Sequence, residues 1–317
     1  MAGANHVDAV DHANGGPLVA AITLGSNSFN MLLARPGGQF PQVIAKHKRK
    51  VRLARGLVSG GVLEPQAAQE ALDCLQWFGE LLQHYQPQHR AVYATAALRQ
   101  AADGPMFCAQ AKPLLGCAIE VISGEREAEY IFHGMRATTA TQGRCLMLDI
   151  GGASTELVLG DAAIDYKTSL PLGAVLYTER YFAQGLSAQG FAQAQAAAMA
   201  ALQPHLAQIA QIGWQQAMGI SGTFRSVFEL AEARGLGINA IELPLLQQLQ
   251  QELLTEQRAE LIGLNSERVP TFAAGLAILQ ALMIALNITQ LHPAGGALRE
   301  GVLVELNRRY QRMTKPA

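Results

Sequence analysis

Residues 20–29 read AAITLGSNSF and residues 146–157 read LMLDIGGASTEL. Both carry one pattern: an apolar run, a short turn of glycine and hydroxyl residues, and a second apolar run. Each reads as a β-hairpin with a tight turn. Glycine permits positive φ and close backbone approach, so successive N–H groups can converge on an anion, and serine and threonine hydroxyls add donors. On this reading Gly25, Ser26, Asn27 and Ser28 form one wall of a phosphate cradle, and Gly151, Gly152, Ser154 and Thr155 form the other. One such turn is ordinary, and Asn27 by itself would be a turn asparagine. The duplication points to two related halves closing on one phosphate-bearing ligand.

Cleaving a phosphoanhydride needs a cradle, a cation, a positioned water and a group that orients or deprotonates that water. The chain offers residues for each task. Glu125, Glu127 and Glu129 follow Ser123-Gly124 at a helix start. Acids favour that position because of the helix dipole, so the pattern alone does not choose a general base among them. Asp149 and Glu156 bracket the second turn, and hard magnesium accepts one or two carboxylates together with phosphate oxygens and water. Glu156 fits either a metal-linked role or the fixing of the turn. Arg99 suits a bidentate phosphate clamp, with a surface ion pair as the alternative. Ser221, Gly222 and Thr223 make a third turn, placed like a helix N-terminus that faces phosphate. Arg299 and Glu300 read as a helix-end ion pair. Lys46, Lys48, Arg49, Lys50, Arg52 and Arg55 form a dense basic run. On a strand, Lys46, Lys48, Lys50 and Arg52 share one face. A polyanion track and a solvated, lysine-protected edge strand fit that face equally. No aromatic residues interleave with the charges, which disfavours nucleic acid.

Periodicity supplies the elements that carry these residues. Residues 18–35 read as a hairpin and 43–53 as a third strand. A strong helix follows at 64–85, where Ala68, Leu72, Leu75, Leu81 and Leu82 recur near helical spacing. A strand at 91–95, a helix at 105–115, a strand at 118–122 and a helix at 125–136 complete one ribonuclease-H-like half. The second half restarts at Arg144 with strand, turn and strand. Helices are expected at 187–211, broken at Pro204, and at 245–262, with Pro244 at the entrance. The expected division is a frayed tail at 1–16, an N-terminal domain at 17–136 and a C-terminal domain at 137–317. The last helix, about 297–312, is expected back against the first domain.

The 317 residues suffice for two cores, and 50% hydrophobic with 15% charged residues describes a globular chain. A net charge of −1 gives no global steering of polyanions, so any anion site is local. Cys74, Cys108, Cys117 and Cys145 lack metal-like spacing and read as reduced core thiols of a cytoplasmic protein. No apolar run reaches the ~20 residues of a membrane span.

The two hairpins, with ATAALR at 94–99, ISGEREA at 122–128, SLPLG at 169–173, ISGT at 220–223, GLAIL at 275–279 and ALREG at 297–301, resemble in collinear order the exopolyphosphatase / guanosine pentaphosphate phosphohydrolase (Ppx/GppA) family. The resemblance covers roughly residues 17–310. It implies an α/β fold of two ribonuclease-H-like domains flanking an interdomain cleft, as in the actin-like ATPase superfamily. It implies hydrolysis of polyphosphate or guanosine pentaphosphate with Mg2+, without specific nucleic acid or membrane partners, and leaves a homodimer open. Among the three glutamates it selects Glu127 as general base. It places Arg99 on phosphate, Arg299 facing the cleft and Asp149 on the metal side. Three positions depart from the family pattern: Thr23 stands for an aspartate, Ala153 for a glycine, and Gly295 for a polar residue. Loss of the aspartate charge supports an alternative, a sensor that keeps the cradle and hydrolyses weakly. A sugar kinase fits less well, because those enzymes do not generally carry the ISGEREA-type motif.

Overall fold

The computed structural model describes residues 16–55 and 57–314; the tail expected at 1–16 falls, apart from Gly16, outside them. The first half runs β1 Val19–Leu24, β2 Ser28–Arg35, β3 Gln42–Lys50, α1 Leu57–Gly60, α2 Pro65–Tyr85, β4 His89–Ala94, α3 Ala96–Gln100, α4 Gly104–Leu115, β5 Glu120–Val121 and α5 Gly124–Thr138. The second runs β6 Cys145–Ile150, β7 Thr155–Gly160, β8 Ile164–Leu170, α6 Ala174–Tyr181, α7 Ala188–Leu202, a 3-10 turn Gln203–His205 and α8 Leu206–Ile212. It continues through β9 Gln216–Ile220, α9 Gly222–Ala233, α10 Leu243–Glu256, α11 Val269–Ala285, β10 Leu291–Pro293 and α12 Leu298–Thr314.

The two sheets are copies of one topology, ordered β3-β2-β1-β4-β5 and β8-β7-β6-β9-β10. In each, an antiparallel meander leads and later strands add in parallel beside the first. β1, β6 and β7 are buried throughout because each sheet carries helices on both faces. The strongly apolar α11, buried from Phe272 to Met283 with Gln280 as the one polar residue of that stretch, is the centre of the second core. Sequence periodicity does not reveal it as a helix, since a helix buried all round has no polar stripe.

Some boundaries differ from the sequence expectation. β3 stops at Lys50, because Arg52 takes φ 54° and the chain turns back beneath the first hairpin. α10 stops at Glu256, where Gln257 takes φ 50°, rather than reaching 262. The break at Pro204 is the 3-10 turn between α7 and α8.

α12 completes the first half from the far end of the chain. Val302, Leu303 and Leu306 pack on Val19, Ala21, Leu32 and Tyr93 of the first sheet and on Tyr130 of α5. Asn307 Oδ1 accepts from the Gly37 N–H at 2.8 Å, tying α12 to the β2–β3 loop. The crossing with α5 is tight: a Cβ on Gly301 would lie 1.8 Å from the Tyr130 carbonyl oxygen. We therefore expect Gly301→Ala to force the two helices apart and to lower stability by about 1–3 kcal/mol in denaturant unfolding. An unchanged midpoint would show that the helices can slide.

Candidate active site

The two hairpins share one pairing register, position by position. β1 and β2 pair Thr23 with Asn30 and Leu24 with Phe29; β6 and β7 pair Asp149 with Glu156 and Ile150 with Thr155. The Gly25 N–H donates to Ser28 O at 3.2 Å, and the Gly151 N–H donates to Ser154 O at 2.9 Å. Neither glycine adopts positive φ. Their small size matters instead, since a Cβ on either would lie 2.9 Å from the carbonyl it faces. Ala153 also avoids positive φ, so its methyl is accommodated without strain.

The carbonyl edge of each turn is committed to the fold. Ser26 O accepts from Ala54 N, and Asn27 O accepts from Val51 N and Arg52 N. Gly151 O and Gly152 O accept from Ala174 N and Val175 N at the start of α6. The amide edge of each turn is thereby left for a ligand. The turns meet closely: a Cβ on Gly152 would lie 2.9 Å from Ser26 Cβ.

Both turns line one cleft of about 420 Å³. Gly25, Ser26, Asn27, Ser28, Gly151, Gly152, Ser154, Glu127, Arg299 and the Ser221-Gly222-Thr223 turn all face it. Ser221, at φ 90°, donates its hydroxyl to Ile150 O at 2.9 Å and so locks the start of α9 to the second hairpin. Asp149 and Glu156 lie beneath this surface. Thr155 departs from the sequence expectation as a phosphate donor: it is fully buried and its hydroxyl donates to Leu172 O at 2.7 Å. Arg99 is not on the cleft wall either. It sits on the short helix α3, donates to Ile122 O at 2.7 Å, and pairs with Glu127 at 3.5 Å.

Glu127, Asp149 and Glu156 are 7%, 9% and 2% exposed. Burial pushes the Glu127 carboxyl up to about 7, opposed by Arg99 and reinforced by Asp149. Burial likewise pushes Asp149 up to about 6, against a hydrogen bond from Ser221. Glu156 is raised well above the carboxylate range by burial and by repulsion from Glu127 and Asp149. Ser169 Oγ donates to Glu156 at 2.7 Å and holds it in place. The first hairpin carries the neutral pair Thr23/Asn30 at the positions where the second carries Asp149/Glu156. Among the described residues no group of three His, Cys, Asp or Glu side chains is arranged to hold a metal by itself.

The opposite wall is cationic. Lys48, Arg225, Arg268 and Arg299 all line the cleft. Burial lowers the Lys48 pKa, and Arg268, Arg299 and Arg225 lower it further against the pull of Glu267. The expected basic run thus splits. Lys48 faces the cleft and Lys50 donates to the Glu267 backbone carbonyl, while Arg49 stacks on Trp77 and Arg52 lies beyond the strand. Arg225 and Arg268 escaped the sequence reading. A usable signal existed: each stands at a helix start, where a positive charge opposes the dipole unless an anion is nearby.

The model of the Ppx/GppA phosphatase family matches residues 32–310. The chain belongs to the Ppx/GppA phosphatase family. It is 41% identical over 295 residues to a guanosine-5'-triphosphate,3'-diphosphate pyrophosphatase of Photobacterium profundum, matching 92% of this chain and 59% of that one. The chain thus spans 59% of the length of that curated relative. An exopolyphosphatase structure from Cytophaga hutchinsonii ATCC 33406 aligns with TM-score 0.82 and 22% identity, over 92% of this chain and 98% of that one. The Aquifex aeolicus Ppx/GppA family member aligns with TM-score 0.73 and 21% identity, over 95% and 99%. The Ppx/GppA fold of two ribonuclease-H-like domains around a cleft is therefore shared with both.

The buried acids set a stability profile. A carboxyl whose folded pKa is raised favours the fold when protonated, and that contribution is lost as pH rises through the folded value. Without divalent cation, thermal stability is expected to fall between about pH 4, the unfolded carboxyl range, and about pH 7, from the values near 6 and 7 at Asp149 and Glu127. The total is on the order of a few kcal/mol. Glu127→Gln should flatten the profile, measured by melting in chelator; an identical slope in that variant would place the titration elsewhere.

Proposed function

We propose that this chain is a phosphohydrolase that removes the terminal phosphate of inorganic polyphosphate or guanosine pentaphosphate. The observation that carries the reading is the meeting of the two duplicated turns across one cleft, with the Glu127 carboxylate between an acidic floor and a cationic wall. A polyanion suits that arrangement. Lys48, Arg225, Arg268 and Arg299 hold its charged body, and the amide edges of residues 25–28 and 151–154 hold the terminal phosphoryl group.

Glu127 accepts a proton from water as the water oxygen bonds to the terminal phosphorus. The anhydride P–O bond breaks, leaving orthophosphate and a chain one phosphate shorter. A carboxyl with a pKa near 7 suits this work near neutral pH, since it is both partly ionised and basic enough to take the proton. Arg99 holds Glu127 in place, and Ser169 holds Glu156.

Asp149 and Glu156 would hold magnesium, and the ion would neutralise charge developing on phosphate oxygens. The donor set fits: the acids are buried, mutually repelling and lifted in pKa, a state that a divalent cation relieves. Magnesium also needs few protein carboxylates when phosphate and water complete its shell.

A second reading, a binder with little turnover, has one observation in its favour. The first hairpin offers Thr23 and Asn30 where the second offers two carboxylates, so half of the duplicated device is uncharged. Both readings are decided by orthophosphate release from polyphosphate and from guanosine pentaphosphate, with and without magnesium. Magnesium-dependent release supports the hydrolase; tight binding without release supports the binder.

Under the hydrolase reading Glu127→Ala should lower turnover by about 10²–10⁴-fold with the fold intact, and parent-like rates would remove Glu127 from the mechanism. Thr23→Asp should lower the magnesium concentration needed for half-maximal rate. It should also lower the melting temperature in chelator, because a fourth acid joins the buried cluster. A variant with parent-like magnesium dependence would separate Thr23 from the metal. Lys48→Ala should raise KM for long polyphosphate, and the loss should shrink at high salt, whereas Lys46→Ala should not, because Lys46 does not line the cleft. Equal effects of the two substitutions would make the whole basic face, rather than the cleft wall, the binding surface.

A further inference from the structure

A second depression adjoins the catalytic cleft. It measures about 500 Å³ and is lined by Arg99, Gln100, Ser123, Thr168 and Ser169, among others. It lies on the far side of the Arg99–Glu127 pair: Glu127 faces the cleft, Arg99 faces the depression, and Ser154 is shared by both. The partition between the two spaces is thus a single layer of side chains.

The depression has the chemistry of a small oxyanion site. Arg99 supplies a guanidinium, anchored by its bond to Ile122 O at 2.7 Å. The same Nη1 contacts Glu127 at the longer distance of 3.5 Å. Gln100, Ser123 and Thr168 add polar groups, and α5, a helix of 15 residues, starts at its edge with Gly124. One acid lines it, Glu125, whose carboxylate lies 4.0 Å from Lys167.

Hydrolysis of a terminal phosphate in the cleft creates a need for such a space, because it leaves two anions. On the hydrolase reading the longer product stays on Lys48, Arg225, Arg268 and Arg299, which line the cleft, while orthophosphate is released at the turns beside Glu127. The retained chain and orthophosphate then share one cleft. Resting on the hydrolase reading, we propose that the depression behind Arg99 is an orthophosphate site and exit, through which the small product leaves while the shortened polyanion stays in the cleft. Arg99 is then a positioning residue for Glu127 during the chemistry and a carrier of orthophosphate afterwards.

Two variants on the depression wall test this without touching the reacting groups. Thr168→Trp fills the space. Gln100→Glu, at an exposed position, adds a negative charge beside Arg99 and gives up the Gln100 Nε2 donation to Ala153 O at 3.3 Å. Folding of both is checked by circular dichroism and melting. For Thr168→Trp the expected result is a single-turnover rate within about twofold of parent, with steady-state kcat several-fold lower, because release becomes limiting. For Gln100→Glu the expected result is inhibition by inorganic phosphate weakened about tenfold, with KM for the polyanion unchanged. Parent-like kcat and phosphate inhibition in folded variants would overturn the proposal. So would an equal fall of single-turnover and steady-state rates in Thr168→Trp, which would make this wall part of the chemistry. Inorganic phosphate binding is also measured by calorimetry, without substrate, on the parent and Gln100→Glu. If the parent cleaves no phosphoanhydride, the hydrolase reading falls by that result. The calorimetry then judges the depression by itself, and equal phosphate affinity in the two proteins overturns it.

Discussion

Like charges are gathered on two sides of one narrow space, and the rest of the molecule is arranged around the cost of keeping them there. Glu127, Asp149 and Glu156 are buried together beneath the two turns, and Lys48, Arg225, Arg268 and Arg299 face one another above them. Each group alone is unfavourable, since desolvation and mutual repulsion oppose its charge. Hydrogen bonds from Ser169 and Ser221 and the contact with Arg99 offset part of the acidic side. A ligand that brings negative charge to the cationic wall and a cation to the acidic floor relieves both at once. The charge that a ligand must bring to the cleft thus follows from how charge is segregated, and the net charge of −1 carries no information about it.

Duplication makes that segregation feasible. Two hairpins with the same register and the same glycine-to-carbonyl closure face each other, so one space receives amide donors from both sheets. The copies have diverged where charge is concerned: the second keeps Asp149 and Glu156, while the first holds Thr23 and Asn30. A fully acidic first hairpin would add a carboxylate to a floor that already repels itself. The neutral pair Thr23/Asn30 avoids that repulsion. Asn30 has also gained a different task, accepting a hydrogen bond from Arg299 of α12 at 3.4 Å.

α12 links the charged cleft to the fold as a whole. It belongs to the end of the chain, yet it packs on the first sheet and brings Arg299 to the cleft. Its tight crossing with α5 at Gly301 and Tyr130 couples it to the helix that carries Glu127. A shift of either helix would therefore move the Arg299 cation and the Glu127 carboxyl together.

The sequence by itself determined the local devices. Glycines and hydroxyls between apolar runs specify the turns. Ser123 before the acidic start of α5 specifies its cap, and its hydroxyl accepts from Arg126 N at 3.2 Å. Pro204 specifies the break between α7 and α8, and collinear motifs specify the family. These are short-range constraints, set by backbone sterics and hydrogen bonding within a few residues. Only the tertiary structure decided which groups share a space. Thr155 sits in the same motif as Ser154, yet points into the second core because alternate strand residues face opposite ways. Lys48 and Arg49 are neighbours in one basic run, and the same alternation sends one to the cleft and the other onto Trp77. Arg225 and Arg268 are remote from the hairpins in sequence and join Lys48 only because two sheets and the start of α11 converge. No local pattern records that convergence, since it is fixed by long-range packing and paid for in chain entropy.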